Sequence, residues 1–367
     1  MSQLDLTPLA RPAKQPWQVR NPRNTWLVVA ASVLPMVLSI AITLASGLDA
    51  AVATIFVFLP IQILASVSVG QVIYGKKGRG DAILVIFTIF FSTLVGVLLL
   101  SVMFSVFVNG LRAMSPQFIG QNNHYISSTT SLEYGGLGHA ILGTMLIVGL
   151  TTLFTIPLGI LIAIYLTETR GRLRGTVRTL VQAISGLPSV VSGLFIYAFL
   201  IAPSFSDRGL FQQAGWIGSL ALFPLMLPTV ARIAEEALRL VPQELRNGAY
   251  ALGAPAFKAF WQVTLPAAKS GLITAALLGV ARIIGETAPL ILTTAPSNDT
   301  NFNPFVGQIA TLPTYLYGYI NQVQATSQQR AWGAALVILI LVFVLFTLAR
   351  VLGGNKSTQP KKSKKRK

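Results

Sequence analysis

Cysteine is absent from this sequence, which excludes a disulfide framework and any thiolate-held metal. The two histidines, His124 and His139, have no second His, Cys or carboxylate cluster at ligand spacing, so no metal site is expected. Charge is scarce as well, at 11% of residues against the roughly 25% of an ordinary soluble chain. With 53% hydrophobic residues and a mean hydropathy of +0.66, a water-soluble fold of 367 residues would not cover its own surface. No G-x-x-x-x-G-K-[ST] loop occurs, so any ATP chemistry must lie on another chain. The nearest approach, Gly75-Lys76-Lys77-Gly78-Arg79-Gly80, lacks the spacing and reads as a basic turn. No Ser, His and Asp grouping suggests hydrolysis, and no catalytic residue or cofactor is expected on this chain.

What is present is apolar sequence in blocks of about 20 residues, the length an α-helix needs to cross a bilayer. Eight such blocks run over 26–45, 50–74, 82–108, 139–166, 179–202, 216–238, 268–293 and 331–352. Continuous apolar runs, in place of short alternating segments, leave helices as the only spanning solution. The expected fold is therefore an all-α, polytopic transmembrane bundle. The first block follows a polar leader and lacks a small-residue cleavage signal after it, so a retained helix is expected and not a signal peptide.

The 28 Lys and Arg sort by side. With the termini and even-numbered connections placed together, only Arg112, Arg208 and Arg330 fall opposite, and Arg282 lies inside a span. The positive-inside rule then puts both termini in the cytoplasm. The basic end, Lys361 to Lys367, resembles a nucleic-acid footprint in isolation, but its place after a span favours a disordered tail at the lipid surface. No nucleic-acid partner is expected.

Two external connections are long, 109–138 and 295–330, and both are rich in Asn, Gln, Ser, Thr and Tyr. They read as an ordered docking or vestibule surface, with belt aromatics as the alternative. The cytoplasmic stretch 240–266 is too polar to span and too patterned for a linker. Leu245, Ala249, Leu252 and Ala256 recur at helical spacing, Pro242 suits a first turn, and Gly253 with Pro255 would stop a helix. A short amphipathic surface helix is expected. Pro157, Pro188, Pro224, Pro228 and Pro289 fall within spans as gating kinks or as packed ones. Glu235 and Glu236 read as members of ordinary helix-end ion pairs.

The segment Asn247-Gly248-Ala249, Gly253-Ala254, Val263, Leu265 and Pro266 resembles the EAA loop of ABC importer permeases, with Asn247 for Glu, Gly248 for Ala and Val263 for Ile. Further stretches are similar to the phosphate-specific (Pst) permeases of the PstA type. They are Gly135 to Thr144, Ala163 to Glu168, Leu187 to Phe195, Glu236 to Pro242, and above all the G-E-T-A-P run within Ala281 to Leu290.

The resemblance implies an importer of inorganic phosphate in the cell membrane. Its partners would be a homologous PstC-type permease in a heterodimer, two cytoplasmic ATPase subunits carrying ATP and Mg, and an extracytoplasmic phosphate-binding protein. It also implies a chain organised as a cytoplasmic segment 1–25, an extra helix pair 26–81, a six-helix permease domain 82–352 with its coupling loop at 240–266, and a basic tail 353–367. ATPase coupling falls on Glu244, Arg246, Asn247, Gly248, Ala249, Gly253, Ala254 and Pro266. The extra pair has packing or lipid-facing support as its default role.

Arg282 and Glu286 are charges in an apolar block, and such residues normally face a bundle interior or a water-filled cavity. Their i, i+4 spacing puts them within pairing reach on one helical face. One reading is a structural ion pair. The other is a substrate pathway in which Arg282 attracts phosphate and Glu286 steadies it, to which the resemblance also points. Rival functions are an ABC permease for molybdate, sulfate or phosphonate, and an ion-coupled secondary transporter, which would not need the coupling loop.

Overall fold

A computed structural model describes residues 22–47, 54–169, 171–202 and 211–353, and among these the regular structure is entirely helical. Residues 1–21, Arg170, Arg208 and the basic tail 354–367 lie outside the described residues. The chain divides into two compact units, Met1–Val102 and Met103–Lys367. Among the described residues, seven helical stretches are long and apolar enough to cross a membrane, and a bent helix pair supplies an eighth crossing if it is counted as one. The protein is a multi-pass helical membrane protein.

The first unit contains α1 (Pro22–Ser46) and most of α2 (Leu59–Leu111), which is entered through a π-helical turn at Thr54–Phe58. Pro35 inside α1 has no N–H, which leaves the carbonyl of Ala31 without its helical donor. Gln62 of α2 supplies one, with Nε2 donating to that carbonyl at 3.0 Å. Hydroxyls in these apolar helices turn back on their own backbone, as in Thr43 to the Ser39 carbonyl at 2.8 Å and Thr88 to the Leu84 carbonyl at 2.8 Å. Where water is excluded, that is the local way to satisfy them. The basic turn expected at 75–80 is a kink within one helix: Gly75 takes φ 67 and ψ −150 between the spans Phe56–Ile73 and Ile83–Leu111.

The second unit holds α3 (Pro116–Gly120), α4 (Gly138–Glu168), α5 (Arg174–Ser185), α6 (Ser189–Ile196), α7 (Gly215–Arg239), α8 (Gln243–Ala251), α9 (Ala256–Ala259), α10 (Leu265–Ile284), α11 (Ala288–Thr293), α12 (Leu312–Ile320) and α13 (Ala325–Gly353). Its centre is α7, against which α4 and α10 pack. Val230 of α7 meets a glycine on each neighbour: a Cβ on Gly159 would lie 2.8 Å from its Cγ1, and one on Gly279 would lie 2.5 Å from its Cγ2. Small residues of this kind let helix backbones approach closely in lipid. The core there is Ile147, Leu222, Met226, Val230, Ile283 and Ile309. Buried hydroxyls add polar ties, with Ser219 donating to the Ile147 carbonyl at 3.0 Å and Ser192 to the Ala221 carbonyl at 2.6 Å.

Two expected spans are corrected. The block 179–202 is not a straight crossing, because α5 and α6 meet at 100°. Pro188, with φ −61 and ψ 138, is extended and offers no N–H, so α5 stops at Gly186 and α6 starts anew. The block 268–293 is also broken: α10 ends at Ile284, Gly285 caps it, and α11 begins at Ala288 with Pro289 in its first turn. By contrast, Pro157 and Pro224 stay inside continuous helices, α4 and α7.

The two long connections form an ordered layer at one end of the bundle. Ser115 caps α3, Phe118 is buried, and Asn123 donates through Nδ2 to the hydroxyls of Tyr315 at 3.0 Å and Tyr319 at 2.7 Å. Arg330, with 0% of its surface exposed, donates through NH2 to the carbonyls of Tyr134 at 2.7 Å, Ser131 at 2.9 Å and Thr130 at 3.3 Å. His124 pairs with Asp299 and ties one connection to the other.

Candidate functional site

The two helix breaks adjoin. A Cβ on Gly193 of α6 would lie 2.5 Å from the Cα of Pro289 in α11, so the two half-helices pack backbone against backbone. Beside them opens a cavity of about 230 Å³ lined by Ile184, Ser185, Leu187, Leu225, Pro228, Thr229, Arg232 and Arg282. A water occupies about 30 Å³ of liquid, so the space takes a tetrahedral anion and several waters.

Two of the lining residues carry a guanidinium, two carry a hydroxyl and none is acidic. Arg232 donates to the Ser185 hydroxyl at 2.9 Å, and that hydroxyl donates to the Gln182 carbonyl at 2.7 Å. Arg282 makes no ion pair or side-chain hydrogen bond among the described residues. The cavity therefore presents uncommitted positive charge and forked N–H donors, the arrangement that suits phosphate-like oxyanions.

The pairing of Arg282 with Glu286 is not formed. Because α10 ends at Ile284, the i, i+4 spacing no longer puts them on one helical face, and Glu286 sits half-buried in the break with its N–H on the Ile283 carbonyl at 3.2 Å. Sequence reasoning missed Arg232, whose place near the end of α7 reads as one more cytoplasmic base. Its signal is the break at Gly186 to Pro188, which brings Ser185 to it. Glu235 belongs to a separate cluster, bound to Arg178 at 2.7 Å and to Arg239 at 2.5 Å. Glu236 has no ion pair among the described residues.

At the end of the unit opposite the long connections, α8 forms as its punctuation directs. Pro242 caps it, Gly253 follows at φ +82, and Gly253 and Ala254 close it with N–H bonds to the carbonyls of Tyr250 at 2.9 Å and Ala249 at 3.0 Å. The apolar period, however, does not mark a buried face. No residue of α8 is buried, Leu245 and Tyr250 are exposed, and Leu252 and Phe257 beyond it are exposed at 91% and 73%. The partly sheltered members are Arg246 and Ala249. Glu244, Asn247, Gly248, Gly253 and Pro266 are exposed, and Ala254 is half-buried. Arg246 turns inward, its NH1 2.8 Å from the Glu168 carboxylate and its NH2 donating to the Leu238 carbonyl at 3.1 Å.

The family model for the binding-protein-dependent transport system inner membrane component matches residues 155–355. The phosphate transport system permease protein PstA 1 of Mycobacterium tuberculosis (strain ATCC 25618 / H37Rv) is 38% identical over 219 residues, 59% of this chain and 70% of its own length. The phosphate transport system permease protein PstA of Yersinia pestis is 35% identical over 260 residues, 70% of this chain and 84% of its own. A crystal structure of a bacterial alginate ABC transporter, in complex with an alginate pentasaccharide-bound periplasmic protein, aligns with a TM-score of 0.53 and 18% identity. It covers 73% of this chain and 93% of that one, a likeness of fold.

Proposed function

Because this chain belongs to the family of binding-protein-dependent transport system inner membrane components, we propose that it is the PstA-type permease subunit of an ATP-driven importer of inorganic phosphate. The observation that carries the substrate reading is the cavity at the paired helix breaks, where Arg282 and Arg232 present charge with no carboxylate among the lining residues. Phosphate leaves its external binding protein, passes between this subunit and a homologous PstC-type permease, and meets these guanidinium groups on its way. Arg282, bonded to no described residue, is the main attracting group, and Arg232 with Ser185 lines the same cavity. Glu286, in the break and unpaired with Arg282, limits how tightly the anion is held by lowering the local positive potential.

The exposed apolar residues of α8 and the segment after it suit a protein partner, and two ATPase subunits occupy that face. Glu244, Asn247, Gly248 and Gly253 contact them there. ATP and Mg belong to those subunits. Both termini then lie in the cytoplasm and the layer holding Arg330 faces outward.

The test is ATP-dependent uptake of labelled phosphate by the reconstituted complex, competed with sulfate and molybdate. Uptake blocked by unlabelled phosphate and indifferent to the other two is expected, and preferential competition by sulfate or molybdate would move the assignment to another oxyanion. Orientation is read from single cysteines in the natively cysteine-free chain. Ser127→Cys should react with an impermeant external reagent and Leu252→Cys should not.

A further inference from the structure

Arg246 turns inward while its neighbours Glu244, Leu245 and Asn247 on α8 are exposed, and its partner Glu168 has no part in the cavity. We infer that Glu168 is a positioning residue that seats the Arg246 guanidinium, so that α8 moves as one body with the ends of α4 and α7. The inference rests on the transport reading above and names the ion pair that ties α8 to the spans.

Three observations support it. First, α8 buries no residue, so apolar packing does not hold it in place. Second, one guanidinium reaches two spans at once, with NH1 2.8 Å from the carboxylate at the end of α4 and NH2 on the Leu238 carbonyl in the last turn of α7. Third, Glu168 is the last residue of α4, the negative end of the helix dipole, where a carboxylate is disfavoured unless a cation meets it.

The end of α4 is also held stiffly. Thr169 directs both its N–H, at 3.3 Å, and its hydroxyl, at 2.6 Å, to the Tyr165 carbonyl, and Thr167 bonds the Ala163 carbonyl at 2.9 Å. The pair is sheltered, with side-chain exposures of 14% for Arg246 and 23% for Glu168, whereas the arginines on Glu235 are 40% and 50% exposed. Solvent screens the second cluster more than the first.

The test is Glu168→Gln in the full reconstituted complex, read as phosphate moved per ATP hydrolysed. The complex should assemble and hydrolyse ATP, while the ratio falls about tenfold, within the roughly 5- to 150-fold range of coupling between sites. A second measurement does not depend on substrate. Spin labels at Leu161→Cys and Gln243→Cys, both exposed positions, should give a narrow distance distribution with Glu168 present and a broad one in Glu168→Gln.

An unchanged ratio with an unchanged distribution overturns the inference. A parallel loss of assembly, hydrolysis and uptake at constant ratio also overturns it, and leaves only a structural pair. A wild-type complex that hydrolyses ATP without moving phosphate sinks the transport reading instead, and the label distances still judge the role of the Glu168–Arg246 pair.

Discussion

Arg330 and Arg282 are both guanidinium groups in an apolar bundle, and they stand in opposite conditions. Arg330 has no exposed surface and spends its NH2 on three carbonyls of the connection before α4. Arg282 is exposed to a cavity and bonds to no described residue. In the layer around Arg330, Asn123 likewise donates to both Tyr315 and Tyr319, although its Oδ1 and the Nε and NH1 of Arg330 have no hydrogen-bond partner among the described residues. At the helix breaks Arg282 keeps its charge with no ion pair or hydrogen bond to a described residue and lies open to the cavity. Arg330 gives its NH2 to the fold, whereas Arg282 keeps its donors uncommitted.

The largest expected effect sharpens this contrast. Arg282→Gln should abolish uptake while the complex still assembles. Hydrogen bonds to charged groups are worth about 1.5–3 kcal/mol each, and a fork makes two, so a loss on the order of 100-fold or more is expected. If the double variant Arg282→Leu with Glu286→Leu transports normally, the pathway assignment is wrong.

Next in size is Arg330→Met. Three carbonyls lose their donor, offset in part by removal of a buried charge, and a loss of about 2–4 kcal/mol is expected in thermal unfolding of the purified complex. Uptake per assembled complex should stay level. A fall in uptake without a fall in stability would break the comparison, since Arg330 would then also handle substrate.

These two residues mark how far the sequence could be read. The long apolar blocks announced the spans, because about 20 apolar residues have few other uses. Pro242 and Gly253 announced α8, because their backbone demands are local. The breaks at Gly186 to Pro188 and Gly285 to Thr287 were hidden by hydropathy that runs straight through them, although Pro188 and Pro289 stood as punctuation. Arg330 was read as an external loop charge. Backbone carbonyls that receive an arginine carry no side-chain signature, so only the folded connection reveals them. In α8 the apolar period was visible but its direction was not, since periodicity does not say whether a face meets its own chain or another.

A smaller effect tests the opposite end of the unit. Gly253 sits at φ +82 with open space around its missing Cβ. Gly253→Ala therefore costs only the left-handed backbone, about 1–2 kcal/mol, and should weaken ATPase association about tenfold in a pull-down titration. Gly253→Arg adds bulk on the docking face and should abolish the association, with the subunit still inserted. Normal uptake by the arginine variant would mean that this face docks no ATPase.

The smallest effect appears only in strong base and probes the layer around Arg330 alone. Tyr315 is buried, stacks on Tyr319 at 4.4 Å between centroids, and accepts from Asn123. Burial pushes its phenol pKa well above the usual 10, with the neighbouring Tyr319 adding to the rise. A group whose folded pKa is raised lends stability that is complete below the unfolded pKa and is lost as pH climbs through the folded one. The window therefore opens near pH 10, and the loss from this residue grows as the pH climbs above it. Thermal midpoints taken from pH 8 to 11 should fall more steeply for the wild-type complex than for Tyr315→Phe. Identical slopes would mean that Tyr315 titrates as if solvated, and the closed layer that sets it apart from the break at Arg282 would not be closed.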